Sequence, residues 1–168
     1  MIFLTTGTQL PFDRLVRAVD DWAETAQPEG GIVAQVLPAR RAPYVPRNFE
    51  TRARLSPAEY DALFAKADLI VSHAGMGTIL TALTTGKRVC VMPREFQYGE
   101  HRNDHQLATV ERLGPHPGLF KARDAEKLPA CLDAAMQPCD ETGQARLDPF
   151  APEAFTSRLR GFILSGQR

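Results

Sequence analysis

The chain has 168 residues, of which 43% are hydrophobic and 24% are charged, so a globular domain with its own apolar core is expected. Lys plus Arg and Asp plus Glu both total 20, and this balance lacks the basic excess that is typical of nucleic-acid binding. No apolar run approaches the roughly 18 to 20 residues that span a bilayer, and the amino terminus lacks the basic region of a signal peptide. The cysteines are odd in number and lack CxxC spacing, which predicts a reducing cytoplasm and neither a disulfide framework nor a zinc site. They are Cys90, Cys131 and Cys139.

Strand-like and helix-like segments alternate along the chain. Short apolar runs predict strands at residues 2–5, 32–36, 68–72 and 88–92, and shorter strands within 49–55 and at 119–120. Apolar residues at helical spacing predict helices between Pro11 and Gly30, and over residues 57–67, 76–85, 100–113, 124–135 and 152–164. Ser56 and Glu59 form a capping box around Pro57, which predicts the start of the second helix. Apolar strands alternating with helices predict an α/β fold, a single Rossmann-like domain over residues 1–168 with a parallel sheet.

A glycine-containing turn after the fourth strand is the most informative segment. The chain passes from the strand through His73 and Gly75 into a helix that starts at Met76 and carries Gly77 and Thr78 in its first turn. Free N–H groups at a helix start attract anions, and glycines allow a ligand to approach the backbone. The turn matches neither a P-loop nor a complete dinucleotide motif, so tight packing of strand on helix is the alternative interpretation.

A second glycine turn follows the first strand. Two small hydroxyls and an amide surround Gly7 there, in the run Thr5-Thr6-Gly7-Thr8-Gln9. An ordinary capped turn is the alternative to a ligand site. Since ligands of parallel sheets bind beyond the carboxyl ends of the strands, both glycine turns are expected to face one crevice.

The segment over residues 93–106 is long, polar and carries aromatic side chains between a core strand and a helix. Such a segment indicates recognition of a polar ligand such as a sugar. His101 and His105 are four residues apart on the predicted helix and could also present two metal ligands, with Glu100 and Asp104 beside them. No third ligand has a recognisable spacing, so the sequence does not favour a metal site.

These motifs resemble a known family. Residues 67–78, then Gly86-Lys87 and the strand end at residues 91–93, resemble the C-terminal domain of glycosyltransferase family 28. The opening over residues 6–15 and the block over residues 99–106 are similar to the short PssE-type subunits of bacterial exopolysaccharide synthesis. Those subunits are in turn similar to the catalytic subunit of the eukaryotic dolichol-linked N-acetylglucosaminyltransferase. The resemblance implies the C-terminal half of a GT-B glycosyltransferase.

The resemblance also implies a UDP-sugar donor and no metal or other cofactor. The implied nucleotide-sugar-binding residues are Gly7, Thr8, Gln9 and His73 at strand ends, Leu55 and Ser56 facing the uracil, Gly75, Met76, Gly77 and Thr78 around the diphosphate, and Asn103, Asp104, His105 and Gln106 near the sugar or ribose. Many two-domain relatives carry a ribose-binding glutamate where this chain has Thr81. Ribose recognition is therefore expected to differ here, and Glu100 is a candidate replacement.

The implied reaction is an inverting transfer, in which an acceptor hydroxyl attacks the anomeric carbon while UDP leaves. The reaction needs a general base, which two-domain relatives often supply from their N-terminal half. In this chain His101 and Glu100 are the candidates. A non-catalytic nucleotide-sugar-binding scaffold is the alternative function, and a nucleotide-sugar epimerase is a weaker one because such enzymes need both halves.

The family pattern supplies a membrane-anchored partner of the PssD type, which brings a lipid-linked saccharide acceptor. It implies a cytoplasmic chain held at the inner face of the plasma membrane through that partner. The last helix carries an apolar stripe of Phe155, Leu159, Phe162 and Ile163, which either packs on the sheet of this domain or docks onto the partner. Glucuronate, galactose, glucose and N-acetylglucosamine are all compatible as the transferred sugar. Arg94 and Arg102 either favour an acidic sugar or are surface charges.

Overall fold

A computed structural model describes residues 1–138 and 146–166, so Cys139 lies outside the described part. Six described strands pair in parallel in one sheet with the order β3-β2-β1-β4-β5-β6. The strands are β1 (Ile2–Thr5), β2 (Ile32–Gln35), β3 (Thr51–Arg52), β4 (Leu69–His73), β5 (Arg88–Met92) and β6 (Leu119–Lys121). The prediction of an α/β fold with a Rossmann-like parallel sheet is confirmed.

Five helices cover the two faces of this sheet. They are α1 (Asp13–Ala26) and α5 (Leu128–Met136) on one face, and α2 (Pro57–Lys66), α3 (Met76–Thr84) and α4 (His105–Arg112) on the other. Alternate residues of β1 divide between the two cores, since Ile2 and Leu4 pack with α1 while Phe3 packs with α2 and α3. The Ser56 capping box is present as predicted, with the Glu59 N–H donating to Ser56 Oγ at 3.3 Å.

The strand order reverses between β1 and β4, and this reversal positions the site. The residues of β1 pair with β2 on one side and with β4 on the other. Because α1 and α3 leave the two central strands toward opposite faces, a crevice opens beyond the carboxyl ends of β1 and β4. The Gly7 turn and the Gly75 turn both follow these strand ends, as the sequence predicts.

Two helices begin later than the sequence predicts. The helix predicted from Glu100 starts at His105, because a 3-10 turn at Phe96–Tyr98 and a series of bends precede it. The Asp104 carboxylate accepts a hydrogen bond from the Phe96 N–H at 2.7 Å, which folds this segment back on itself. His101 therefore does not lie on one helix face with His105.

The helix predicted from Asp124 begins at Leu128. Asp124 Oδ1 instead accepts a hydrogen bond from the Lys127 N–H at 3.0 Å, and the chain turns over these four residues before the helix starts. A short polar side chain that bonds to a nearby backbone N–H stabilises a turn. The chain therefore forms a turn at Asp124, where the sequence predicts the start of the helix.

The last helix, α6 (Glu153–Ser165), has no buried side chain. Its large apolar residues stay exposed, for example Phe162 at 62% and Ile163 at 66%. Packing of this helix on the sheet of the domain, one of the two predicted alternatives, is therefore wrong. Within the described ranges no helix has both the length and the apolar character needed to cross a bilayer.

Candidate functional site

The start of α3 presents unpaired backbone N–H groups to the crevice. Gly75 is the N-cap residue in an extended conformation, and no side chain caps this helix. The N–H groups of Met76, Gly77 and Thr78 are in the first turn and so have no acceptor within the helix. Together with the helix dipole, they form a site that favours an anionic ligand such as a phosphate.

Two glycines are required because they pack against the His73 imidazole. A Cβ at Gly75 would overlap the ring of His73, and a Cβ at Gly7 would lie 3.3 Å from His73 Cε1. Gly7 also has a φ of +75°, which disfavours other residues. At Gly77, in contrast, an added Cβ would meet nothing within 4 Å. The space beside the free amides at Gly77 is therefore open, and packing does not explain why this position is a glycine.

A cavity of about 290 Å³ lies beside His73 at the carboxyl edge of the sheet. The lining residues are Thr6, Gly7, Thr8, Gln9, Leu10, His73, Arg94, His101 and Gln106. The structure thus brings the first glycine turn, the end of β4 and the segment after β5 together, as expected from the strand order. Six of the predicted site residues line this cavity, namely Gly7, Thr8, Gln9, His73, His101 and Gln106.

Arg94 holds the cavity wall together. The residue is 3% exposed, and its guanidinium donates to the carbonyl oxygens of Thr6 and Leu10, both at 2.7 Å, and also to that of Pro11. The guanidinium carbon lies 4.7 Å from the centroid of the Phe12 ring. No carboxylate in the described ranges is within ion-pair distance of Arg94, and burial lowers its pKa to about 10. Arg94 is therefore a buried cation that orders the first glycine turn, and of the two predicted alternatives for this residue a surface charge is wrong.

Replacement of Arg94 by methionine is expected to destabilise the chain by about 2 to 4 kcal/mol, since several buried carbonyl groups would lose their donor. The measurement is urea denaturation followed by circular dichroism. Arg102→Met is the matched control, because Arg102 is exposed and its loss is expected to cost under about 0.5 kcal/mol. Equal midpoints for the two variants would contradict the structural role of Arg94.

Two histidines that line the cavity have pKa values below the ordinary value. Burial, followed by the charges of Arg94 and His101, lowers the pKa of His73 to about 4. Burial also lowers the pKa of His101, with smaller contributions from His105 and Arg94. The rings of His101 and His105 meet edge to face with centroids 4.5 Å apart. His101 Nδ1 is buried without a hydrogen-bond partner in the described part of the chain.

The depressed pKa of His73 predicts a pH dependence of stability. Between an unfolded pKa of about 6.5 and a folded pKa of about 4, the unfolded chain binds more protons, so stability falls as pH decreases through this window. The loss is expected to reach up to about 3 kcal/mol at pH 4 and to stop there. Urea midpoints measured from pH 4 to 7 for the wild type and His73→Gln isolate this contribution. A slope that persists unchanged in the variant would assign it to other groups.

Glu100 is engaged in an ion pair within the protein. Arg14 Nε and Nη2 donate to its two carboxylate oxygens at 2.9 and 2.7 Å, and the Glu95 N–H donates to the second oxygen at 3.0 Å. This geometry orders the segment after β5 against α1. The sequence suggests two roles for Glu100, a general base and a ribose ligand. Within the described residues, no contact of Glu100 specifically supports either role.

Asn103 and Asp104 make contacts within the same segment. Asp104 accepts from Phe96 as described above, and Asn103 Oδ1 lies 3.4 Å from the His105 backbone nitrogen. Gln106 Oε1 accepts from the Arg94 N–H at 3.1 Å. This bond leaves the Gln106 amide NH₂ group to donate toward the cavity.

The remaining predicted residues lie at the starts of α2, α3 and α4. Met76 and His105 line a second groove of about 380 Å³ together with Arg112. Ser56 has its N–H and hydroxyl engaged by Glu59, at 2.8 and 2.7 Å. The main-chain groups of Leu55 make no hydrogen bond within the described residues and so stay free for a ligand.

Sequence reasoning missed the roles of Arg94 and Arg14. For Arg94 the sequence offered one signal, namely that this cation follows Pro93 directly at the end of a buried strand. Residues at the ends of such strands often bind a ligand or line its site. Arg14 gave no comparable signal, because a cation on an amphipathic helix is ordinarily solvated.

Comparison with known proteins identifies the family. The model for the glycosyltransferase family 28 C-terminal domain matches residues 1–146. Two relatives, both named UDP-N-acetylglucosamine transferase subunit ALG13, are 34% identical over 125 residues, from Homo sapiens (71% of this chain, 11% of that protein) and Mus musculus (70% and 10%). This chain thus spans about a tenth of their length.

A solved structure supports the fold. The crystal structure of the glycotransferase of kitacinnamycin superposes with a TM-score of 0.53 at 21% identity, and the match covers 95% of this chain and 37% of that one. At this identity the likeness concerns the fold alone. The family match, which extends over most of the sequence, carries the assignment: the chain belongs to the glycosyltransferase family 28 C-terminal domain family.

Proposed function

We propose that this chain is the donor-binding subunit of an inverting glycosyltransferase, which transfers a hexosyl group from a UDP-sugar to a lipid-linked acceptor in exopolysaccharide or capsule synthesis. The observation that carries the proposal is the uncapped start of α3, whose N–H groups face the crevice between β1 and β4. Membership of the glycosyltransferase family supports the reaction class. The names of the two relatives support a UDP-sugar as donor.

The donor would extend from α2 to the cavity. The diphosphate lies on the amides of Met76, Gly77 and Thr78, where the helix dipole stabilises negative charge. The uracil lies against the free main-chain groups of Leu55. The sugar lies near His105 and Gln106, where the Gln106 amide donates to a hydroxyl group.

The reaction would proceed in one displacement. The acceptor oxygen forms a bond to the anomeric carbon as the bond from that carbon to the UDP oxygen breaks, and the configuration inverts. Charge that develops on the departing diphosphate is stabilised by the start of α3. His101 accepts the proton of the acceptor hydroxyl, since it lines the cavity and burial lowers its pKa, which favours the unprotonated form. Glu100 is the less favoured base because Arg14 and the Glu95 N–H hold its oxygens.

A second subunit would complete the active site. The exposed apolar side chains of α6 support a docking surface, and they are Phe155, Leu159, Phe162, Ile163 and Leu164. We infer a membrane-anchored partner that carries the lipid-linked acceptor and holds this chain at the cytoplasmic face of the plasma membrane.

The test is calorimetric titration of the purified chain with UDP and a panel of UDP-sugars. Binding of UDP is expected, and the preference among glucuronate, galactose, glucose and N-acetylglucosamine names the transferred sugar. Absence of binding, both alone and with the partner subunit present, would overturn the donor-site proposal. A neighbouring reading frame that encodes a short protein with one N-terminal transmembrane helix identifies the candidate partner.

The alternative function is a non-catalytic scaffold that binds the nucleotide sugar and stabilises another transferase. The engagement of Glu100 by Arg14 favours it, because one of the two candidate bases is held in an ion pair. UDP release in a mixture of both subunits, donor and lipid-linked acceptor distinguishes the two functions. Turnover supports the enzyme, whereas binding without turnover supports the scaffold.

A further inference from the structure

Two cysteines that are 41 positions apart meet between β5 and α5. The Sγ atoms of Cys90 and Cys131 are 2.9 Å apart. Cys90 is fully buried in the strand, and Cys131 is partly exposed on the helix. We propose that this pair is a site of reversible oxidation, at which Cys90 and Cys131 form a disulfide bond that links α5 to β5. The proposal goes beyond the glycosyltransferase function and does not depend on it.

The packing of the two elements places the sulfur atoms for bond formation. Cys90 belongs to the core on the α1 and α5 side of the sheet, and Cys131 packs against the same core. A disulfide bond is about 2.05 Å long, so the two sulfur atoms need to approach by less than about 1 Å. Because α5 already rests on β5, the two sulfur atoms are neighbours before the bond forms. The odd number of cysteines, which argues against a disulfide framework in the sequence, does not exclude one bonded pair.

The unequal exposure of the two thiols sets the order of the chemistry. Burial, together with the contact to Cys131, raises the pKa of the Cys90 thiol, so Cys131 is the thiol that meets an oxidant first. With a peroxide as oxidant, the Cys131 thiolate attacks the O–O bond, forms a sulfenic acid and releases water after proton transfer. The Cys90 sulfur then displaces the sulfenic oxygen, which leaves as a second water. Two thiols and one peroxide thus give one disulfide and two waters.

The bond would close a loop that contains much of the candidate site. The residues between Cys90 and Cys131 include Arg94, His101 and Gln106, and they also include all of α4. A disulfide across a loop of this length restricts the unfolded chain and raises thermal stability. The oxidised protein is therefore expected to unfold at a temperature several degrees higher than the reduced protein.

The test uses the Cys139→Ser variant of this chain, which removes the third thiol. The protein is treated with hydrogen peroxide, quenched, denatured and alkylated with N-ethylmaleimide. We expect both remaining thiols to be protected, the intact mass to fall by two hydrogen atoms, and dithiothreitol to restore both thiols. Peptide mapping should find Cys90 joined to Cys131, and the melting temperature should rise.

The control is Cys131→Ser in the same background, in which the buried Cys90 is expected to stay reduced and the melting temperature to stay unchanged under oxidant. Two outcomes in the Cys139→Ser protein would overturn the proposal. One is alkylation of both thiols after oxidation. The other is a gain of oxygen atoms on Cys131 while Cys90 remains a free thiol. Neither readout involves UDP, so a failure here is separate from a failure of the donor-site proposal.

Discussion

Replacement of Gly77 by aspartate is expected to weaken UDP binding at least about a hundredfold, which corresponds to about 2.7 kcal/mol. Gly77 lies in the first turn of α3, where an added Cβ meets no atom within 4 Å. The new carboxylate would occupy the anion site and repel the diphosphate at close range. The measurement is the dissociation constant for UDP by calorimetry.

The aspartate variant separates binding from folding. A negative charge in the first turn of a helix stabilises that helix by about 0.3 to 1 kcal/mol, so the variant is expected to be at least as stable as the wild type. Gly77→Asn has nearly the same shape without the charge and is expected to weaken binding much less. Gly75→Asp is a poorer probe, because its side chain would collide with His73. Equal affinities for UDP in the wild type and both Gly77 variants would place the diphosphate elsewhere.

Replacement of His101 by glutamine is expected to lower kcat of the proposed two-subunit enzyme by about 10² to 10⁴, with little change in the affinity for UDP. A general base acts in its unprotonated form, and burial lowers the pKa of His101 below its ordinary value. Wild-type kcat should therefore fall as the pH falls through that lowered pKa. The variant should lose this acidic limb of the pH–rate profile, which a purely structural role would not remove.

Glu100→Gln is the matched control for the base. It weakens the ion pair with Arg14, so it is expected to lower stability while the acidic limb remains. The assignment of the base would be reversed if Glu100→Gln removed the limb and His101→Gln kept it. Loss of UDP binding in His101→Gln would instead indicate a donor-binding role for this residue.

Local sequence was sufficient to predict a helix or strand where the stabilising contacts lie within one short segment. The capping box of Ser56 and Glu59 predicts the start of α2 because its hydrogen bonds join residues three apart. The run into Gly75 predicts a strand followed directly by a helix, since periodicity changes there from strand to helix. Once the strands were predicted to be parallel, both glycine turns had to face one edge of the sheet, and the structure shows this arrangement.

The segment over residues 99–104 shows where local signals fail. Its residues have helical spacing, yet Glu100 bonds to Arg14, which is 86 positions away. Asp104 bonds to the Phe96 N–H instead of capping a longer helix. The Arg14 partner of Glu100 lies far outside the window of one helix, and the bond from the Phe96 N–H to Asp104 is a local side-chain contact that helical periodicity does not report.

By itself the sequence determined the element types, the parallel sheet and the position of the Gly75 turn, because short-range hydrogen bonds and side-chain periodicity encode them. The family was indicated by the resemblance of the motifs, and the family match confirms it. Only the tertiary structure decided that Arg94 is a buried structural cation, that Cys90 meets Cys131, and that α6 leaves its apolar face exposed. Each of these depends on which distant segment comes to lie against a side chain. That juxtaposition follows from the packing of whole helices on the sheet, and no local pattern specifies it.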